Sequence, residues 1–198
     1  MMNEIDNIKH DYPIVKDLKT AKDSLLRPFI KILDRFRVSP DAVTFFGFLM
    51  IIPAFLSMYV SNVLSFVFVL FHIIFDAIDG SLARYQNKHS KYGAFNDLIG
   101  DHLFLWLYVV ALFFFGVISG FWSFFYLINY LVLIFTMILL DAKNVKYHFI
   151  FKSIYIFYLI VAIKFFFKID FLTEYFVLLG VYNFVNNIFL LNNLKWQS

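Results

Sequence analysis

From residue 42 onward the sequence is a succession of apolar runs, near 42–60, 63–84, 94–116, 121–140, 149–168 and 171–191. Each is about 17–25 residues long, the length with which a helix crosses roughly 30 Å of hydrocarbon. That constrains the fold more than any other feature. A bilayer interior offers no water to loose backbone N–H and C=O groups, so spanning segments of this length must be helices. Turn and charge signals separate them: Ser61-Asn62, Gln86 to Lys91, Ser119-Gly120, Asp141 to Lys146, and Lys168 to Glu174. Composition agrees. The chain is 62% hydrophobic and 16% charged, against about 45–50% apolar and about 25% charged in soluble domains, so a water-soluble globular domain is excluded. A net charge of +3 without one long basic patch argues against a nucleic-acid partner. With no Cys, disulfides, Cys-ligated metals and a Cys nucleophile are excluded as well.

The first 40 residues read differently. They hold eight of the 17 basic residues and six of the 14 acidic ones, and lack the apolar core and small-residue cleavage site of a secretory signal. Over residues 14–36, Ile14, Leu18, Ala21, Leu25, Phe29, Leu33 and Phe36 recur at helical spacing, with Lys16, Lys19, Lys22, Lys31 and Arg35 between them. This is the pattern of an amphipathic helix lying on a membrane surface; a solvated helix docked on another protein is the alternative. Pro28 is placed to kink or divide it. Ser39 then reads as an N-cap, with Pro40 at the first helical position of the first span. With a cytoplasmic N-terminus, fifteen of the 17 basic residues lie on the inner side, and only Lys164 and Lys168 lie outside, near Asp170 and Glu174. The positive-inside rule thus supports six spans with both termini in the cytoplasm. The expected fold is all-α: a polytopic integral membrane protein of six transmembrane helices preceded by an amphipathic juxtamembrane helix. Residues 1–40 form the cytoplasmic segment and residues 41–198 the transmembrane domain.

Four aspartates stand where the membrane should be apolar. The second span is almost free of polar side chains until Asp76 and Asp79, and the third begins with Asp97 and Asp101. Intramembrane carboxylates are costly and mark functional sites by default. Asp76 and Asp79 are three apart and share a helix face, which Gly80, Ala83 and Arg84 continue. Asp97 and Asp101 are four apart and share another, with Gly93 one turn earlier. A short connection makes the two helices antiparallel neighbours, so the faces can meet near the cytoplasmic side. Four ionised carboxylates there repel one another, and Arg84 alone cannot balance them. Either some stay protonated or a hard divalent cation neutralises the cluster; all-oxygen ligands favour Mg²⁺, Mn²⁺ or Ca²⁺. Four acids on two matched faces are hard to explain as helix caps.

The stretch Asp76-Ala-Ile-Asp79-Gly80-Ser-Leu-Ala83-Arg84, eight residues, Gly93, three residues, Asp97, three residues, Asp101 resembles the signature of the CDP-alcohol phosphotransferases, DxxDGxxARx8GxxxDxxxD. All eight fixed positions match, a coincidence of roughly one in 10¹⁰ per window at ordinary residue frequencies. Six spans and a juxtamembrane helix also resemble that family's architecture. The resemblance implies transfer of a substituted phosphate from a CDP-alcohol to the hydroxyl of a second alcohol, with release of CMP, in phospholipid synthesis. It implies Mg²⁺ or Mn²⁺ as cofactor, held by Asp76, Asp79 and Asp97 with Asp101 beside them, and Asp101 as the general base. It implies room for the cytidine at Gly80 and Ala83, where close helix packing is the other use of small residues. Arg84 and Gly93 join the nucleotide side by the same likeness. So do Pro40 and Thr44, which match the start of the family's first span, although Asp41 stands where Asn is common. A homodimer is implied too.

The acceptor is less legible. Lys143, Lys146, His148 and Lys152 share one expected cytoplasmic loop and could receive a phosphate-bearing acceptor; ordinary inner-loop charge explains them as well. The last span has Asn183, Asn186 and Asn187 but no Arg, which weakens an inositol-phosphate reading. His72 and His102 read as structural, and Trp106, Trp122 and Trp196 as interfacial anchors or packing. The alternative function is a divalent-cation transporter or channel built on the aspartates. It needs acids through the membrane depth, whereas all four gather near one end.

Overall fold

The computed structural model describes the backbone of residues 13–88, 91–143 and 154–195, and the side chains of residues 20–88, 99–140, 143 and 154–192. Among the described residues there are helices and no strands. In chain order they are α1 (Pro13–Arg35), α2 (Pro40–Leu49), α3 (Ile51–Ser57), α4 (Asn62–Tyr85), α5 (Lys91–Phe114), α6 (Gly120–Ala142), α7 (Ile154–Phe167) and α8 (Leu172–Lys195). They form two compact units, Met1–Leu107 and Tyr108–Ser198.

Start signals in the sequence act as expected. Ser39 caps α2, its hydroxyl accepting from Ala42 N at 3.2 Å, with Pro40 at the first position. Ser61 caps α4 by accepting from Leu64 N. Helix α4 ends where Asn87 adopts the left-handed conformation (φ 53°), which Asn tolerates better than most residues. The turn after α5 uses Gly116 at φ 67°, where a side chain would be strained.

The expected first span, 42–60, is not one helix. It breaks at Met50 into α2 and α3. Pro53 has no N–H to give the carbonyl of Leu49, so the helical ladder loses a rung there. Pro28, by contrast, lies inside α1 without dividing it.

Among the described residues, four helical stretches are long and apolar enough to cross a bilayer: Pro40–Ser57, Asn62–Tyr85, Gly120–Leu140 and Leu172–Asn192. The expected third and fifth spans correspond to shorter described apolar stretches, Ile99–Phe114 and Ile154–Phe167. Large apolar side chains such as Phe46, Leu56, Ile74, Phe121, Phe135, Leu159, Leu178 and Phe189 point outward along these helices. A surface so apolar fits hydrocarbon and not water.

In the first unit, Ile30 of α1, Val43 of α2 and Ile78 and Leu82 of α4 form a buried cluster flanked by Leu26, Leu33, Val38 and Phe75. Helix α1 therefore turns Leu26, Ile30 and Leu33 inward and leaves Leu25, Phe29 and Ile32 exposed, with Phe36 exposed just beyond its end. It carries two apolar stripes, and most of the one anticipated for the membrane surface is the outer one. Gly47 lets α2 approach α4: a Cβ there would stand 2.8 Å from Phe75 Cβ. That atom sits next to the backbone and cannot swing aside. Gly47→Ala is expected to push the helices apart and cost about 1–3 kcal/mol, measurable as a lowered thermal midpoint in detergent.

In the second unit, α6 and α8 pack along their length around Leu133, Leu140 and Leu190. Buried polar groups tie them: Asn187 Nδ2 donates to Asn129 O at 2.9 Å, and the Tyr126 and Tyr175 hydroxyls meet at 3.2 Å. Such bonds between helices are worth making where no water competes. Lys164 donates to Val117 O and to Asp170, at 2.6 and 2.7 Å.

Candidate metal and nucleotide site

The first unit gathers the motif. Asp76, Asp79, Gly80, Ala83 and Arg84 lie along the last turns of α4, and Gly93, Asp97 and Asp101 on α5. The side chain of Asp97 and the surroundings of Gly93 lie outside the described residues, as do Lys146, His148 and Lys152 entirely. Lys143 is exposed just beyond α6.

Asp79 is buried, at 4% exposure. Thr44 Oγ1 lies 2.6 Å from Asp79 Oδ2 and 3.2 Å from Pro40 O, and its one hydrogen favours the nearer carboxylate. Thr44, at the start of the first span, thus meets the motif directly, while Pro40 is joined to it only through its carbonyl beside the Thr44 hydroxyl. Thr44 Cγ2 also lies 3.9 Å from where a Cβ would stand at Gly100 on α5. Asp76 is half-buried on the same side of α4.

Asp101 is half-buried, and its Oδ1 lies 3.8 Å from His72 Nε2. The His72 ring is fixed on both sides. Its Nδ1 donates to Gly47 O at 3.2 Å, and its face stacks on Phe104 at 3.7 Å and 3°. His72 was expected to be structural; it is buried and stands against the carboxylate of the motif's last aspartate.

Arg84 pairs with Asp23 of α1. Its Nε donates to Asp23 Oδ2 at 2.7 Å and its Nη2 to Asp23 Oδ1 at 2.5 Å, a bidentate pair. Ser81 Oγ donates to Asp23 Oδ1 at 2.6 Å. The Arg84 guanidinium, followed by the Ser81 hydroxyl, holds the Asp23 carboxyl below the usual carboxylate range, although partial burial works the other way. One turn on, Gln86 Nε2 donates to Asp34 Oδ1 at 2.9 Å and Val38 O at 3.1 Å. The C-terminal end of α4 is therefore latched to α1 by polar contacts beside the buried cluster. Sequence reasoning singled out neither Asp23 nor Ser81. A signal was present: Asp23, Leu26, Ile30 and Leu33 are spaced three, four and three apart, which puts one carboxylate on the inward stripe of α1.

A divalent cation fits this donor set. The described aspartates offer only oxygen, Asp79 and Asp76 share one side of α4, and the Arg84 charge is committed to Asp23. Among the described residues no three such ligands are gathered around one point; the fourth motif aspartate, Asp97, lies outside that set.

The sequence model of the CDP-alcohol phosphatidyltransferase family matches residues 37–188. An uncharacterized protein of Aquifex aeolicus is 33% identical over 89 residues, which are 44% of this chain and 45% of that protein. In fold, the chain is similar to the crystal structure of Mycobacterium tuberculosis phosphatidylinositol phosphate synthase in complex with manganese and citrate. The TM-score is 0.71 at 19% identity, covering 84% of this chain and 87% of that one.

Proposed function

The chain belongs to the CDP-alcohol phosphatidyltransferase family, and on that footing we propose that it transfers a substituted phosphate from a CDP-alcohol, such as CDP-diacylglycerol, to an acceptor alcohol and releases CMP. The observation that carries the reading is the motif in its setting: all eight fixed positions, with Thr44 bonded to Asp79 and Asp101 set against α4.

Asp76, Asp79 and Asp97, with Asp101 beside them, would hold Mg²⁺ or Mn²⁺; manganese is present in the structurally similar synthase. A divalent ion supplies charge neutralisation of the diphosphate and of the departing CMP phosphate. The protein's own residues do the rest. Thr44 orients Asp79 by donating to one of its oxygens. Gly80 and Ala83 leave space for the nucleotide on that side of α4, with Arg84, Gly93 and Pro40 around it. Asp101 takes the proton of the attacking hydroxyl, its carboxylate held near the fixed ring of His72. Displacement at phosphorus needs this positioning more than covalent help. Lys143, Lys146 and Lys152 are the proposed acceptor side.

Six spans and both termini in the cytoplasm fit the distribution of Lys and Arg, and place the site at the cytoplasmic face. Leu25, Phe29, Ile32 and Phe36 would then rest in the bilayer interface while the inner stripe of α1 packs on α2 and α4. Residues 41–198 form the catalytic domain in this reading. A homodimer is supported by the family likeness.

The test is a panel. Purified protein in detergent, given Mn²⁺, a CDP-alcohol and one acceptor alcohol at a time, is expected to form CMP and a new phosphodiester in equal amounts with one acceptor class. The reaction is expected to stop when the metal is chelated. CMP formation with none of the CDP-alcohols, or formation indifferent to chelation, would contradict the proposal.

A further inference from the structure

Arg84 has five N–H bonds to place, and Asp23 accounts for how they are aimed. Nε and Nη2 are taken by the two oxygens of Asp23, and Nη2 also reaches Ser81 Oγ at 3.1 Å. Nη1 lies beside Gly80: apart from the glycine's own chain neighbours and helix backbone, it is the one described atom within 4 Å of where a Cβ would stand there, at 3.6 Å. The glycine keeps this space open, and a guanidinium edge borders it.

We infer that Asp23 is a positioning residue for donor binding: it fixes Arg84 so that Nη1 is presented at the Gly80 opening to an anionic oxygen of the donor's diphosphate. This rests on the proposed function. One further observation and two physical arguments support it. Asp23 cannot wander, because the same stripe of α1 is anchored by Ile30, which is 2% exposed against Val43, Ile78 and Leu82. A free arginine side chain gives up rotamer freedom when it binds, whereas one already clamped gives up little. The clamped pair is close to neutral, so Nη1 offers directed N–H bonds, the geometry that phosphate oxygens accept.

The experiment titrates CDP, with Mn²⁺ present, into the full chain in detergent. Wild type, Asp23→Asn, Asp23→Ala and Asp23→Glu are compared, and Mn²⁺ affinity and thermal midpoint are recorded for each. Asp23→Asn and Asp23→Ala are expected to weaken CDP binding about tenfold, with Asp23→Glu recovering part of the loss. Mn²⁺ affinity is expected to stay within about twofold of wild type. Should Asp23→Ala not fold, Asp23→Asn and Asp23→Glu still decide the matter. Unchanged CDP affinity in folded Asp23→Asn overturns the inference alone. So does an equal loss of CDP and Mn²⁺ affinity, which would mark general damage to the site. Absence of CDP binding in wild type overturns the proposed function and this inference with it.

Discussion

Asp101→Asn is expected to lower CMP release by about 10²–10⁴-fold, the contribution of a positioned general base, while Mn²⁺ and CDP still bind. The amide keeps the shape of the carboxylate and one ligand oxygen, but it cannot take a proton from the attacking hydroxyl. The setting of Asp101 makes the substitution clean. It is half-buried on α5, beside a His72 ring pinned by Gly47 O and stacked on Phe104. None of those supports depends on the charge of Asp101, so the local packing should survive. Single-turnover rates and equilibrium CDP binding, measured on one preparation, separate the two effects. A variant that keeps activity within tenfold of wild type removes Asp101 from the role of base. One that loses CDP binding along with activity makes it a binding residue.

The second large effect is expected on metal affinity. Asp79→Asn removes a charge from the most buried of the described motif carboxylates, one that accepts from Thr44 at 2.6 Å. Mn²⁺ affinity is expected to fall by at least about 100-fold, because loss of a direct ligand should exceed the 10–100-fold typical of a residue that merely orients one. Thr44→Val supplies that milder case. It keeps the shape of the side chain and removes the hydroxyl, and about tenfold is expected. Titration with Mn²⁺ read by electron paramagnetic resonance ranks the two. If Thr44→Val equals or exceeds Asp79→Asn, the principal ligand lies elsewhere in the motif.

The periodic parts of this fold were the legible ones. Ser39 and Pro40 announce a helix start because capping and proline act within one turn. The apolar runs announce helices because burial in lipid needs whole faces, not single contacts. The break at Met50 was hidden inside a run whose hydropathy is uninterrupted; its cause, Pro53, is local and visible, but a proline in a membrane helix often leaves the helix intact. The stripe read on α1 was only part of its pattern. Helical spacing locates apolar faces but cannot say which one meets protein, and here Leu26 and Ile30 face inward while Leu25 and Phe29 do not.

The site divides in the same manner. Fixed spacing along two neighbouring helices made the aspartates readable from the sequence. The Asp23–Arg84 pair spans 61 residues, and no local pattern encodes a contact at that separation. His72 against Asp101 is likewise a product of how α4 packs on α5, since histidine in an apolar run is ordinarily a core residue. Thr44 lies between these cases. Its position in the first span suggested a nucleotide contact, and the geometry adds a bond to a proposed metal ligand.

The proposed chemistry turns on a divalent ion held by these aspartates against the diphosphate of the donor. The direct measurement is pulsed electron paramagnetic resonance of Mn²⁺ bound to the protein with CDP, read for coupling to phosphorus. A resolved phosphorus coupling is expected in wild type, and its disappearance in Asp79→Asn. Bound Mn²⁺ without phosphorus coupling in wild type, or a coupling that persists unchanged in Asp79→Asn, would contradict it.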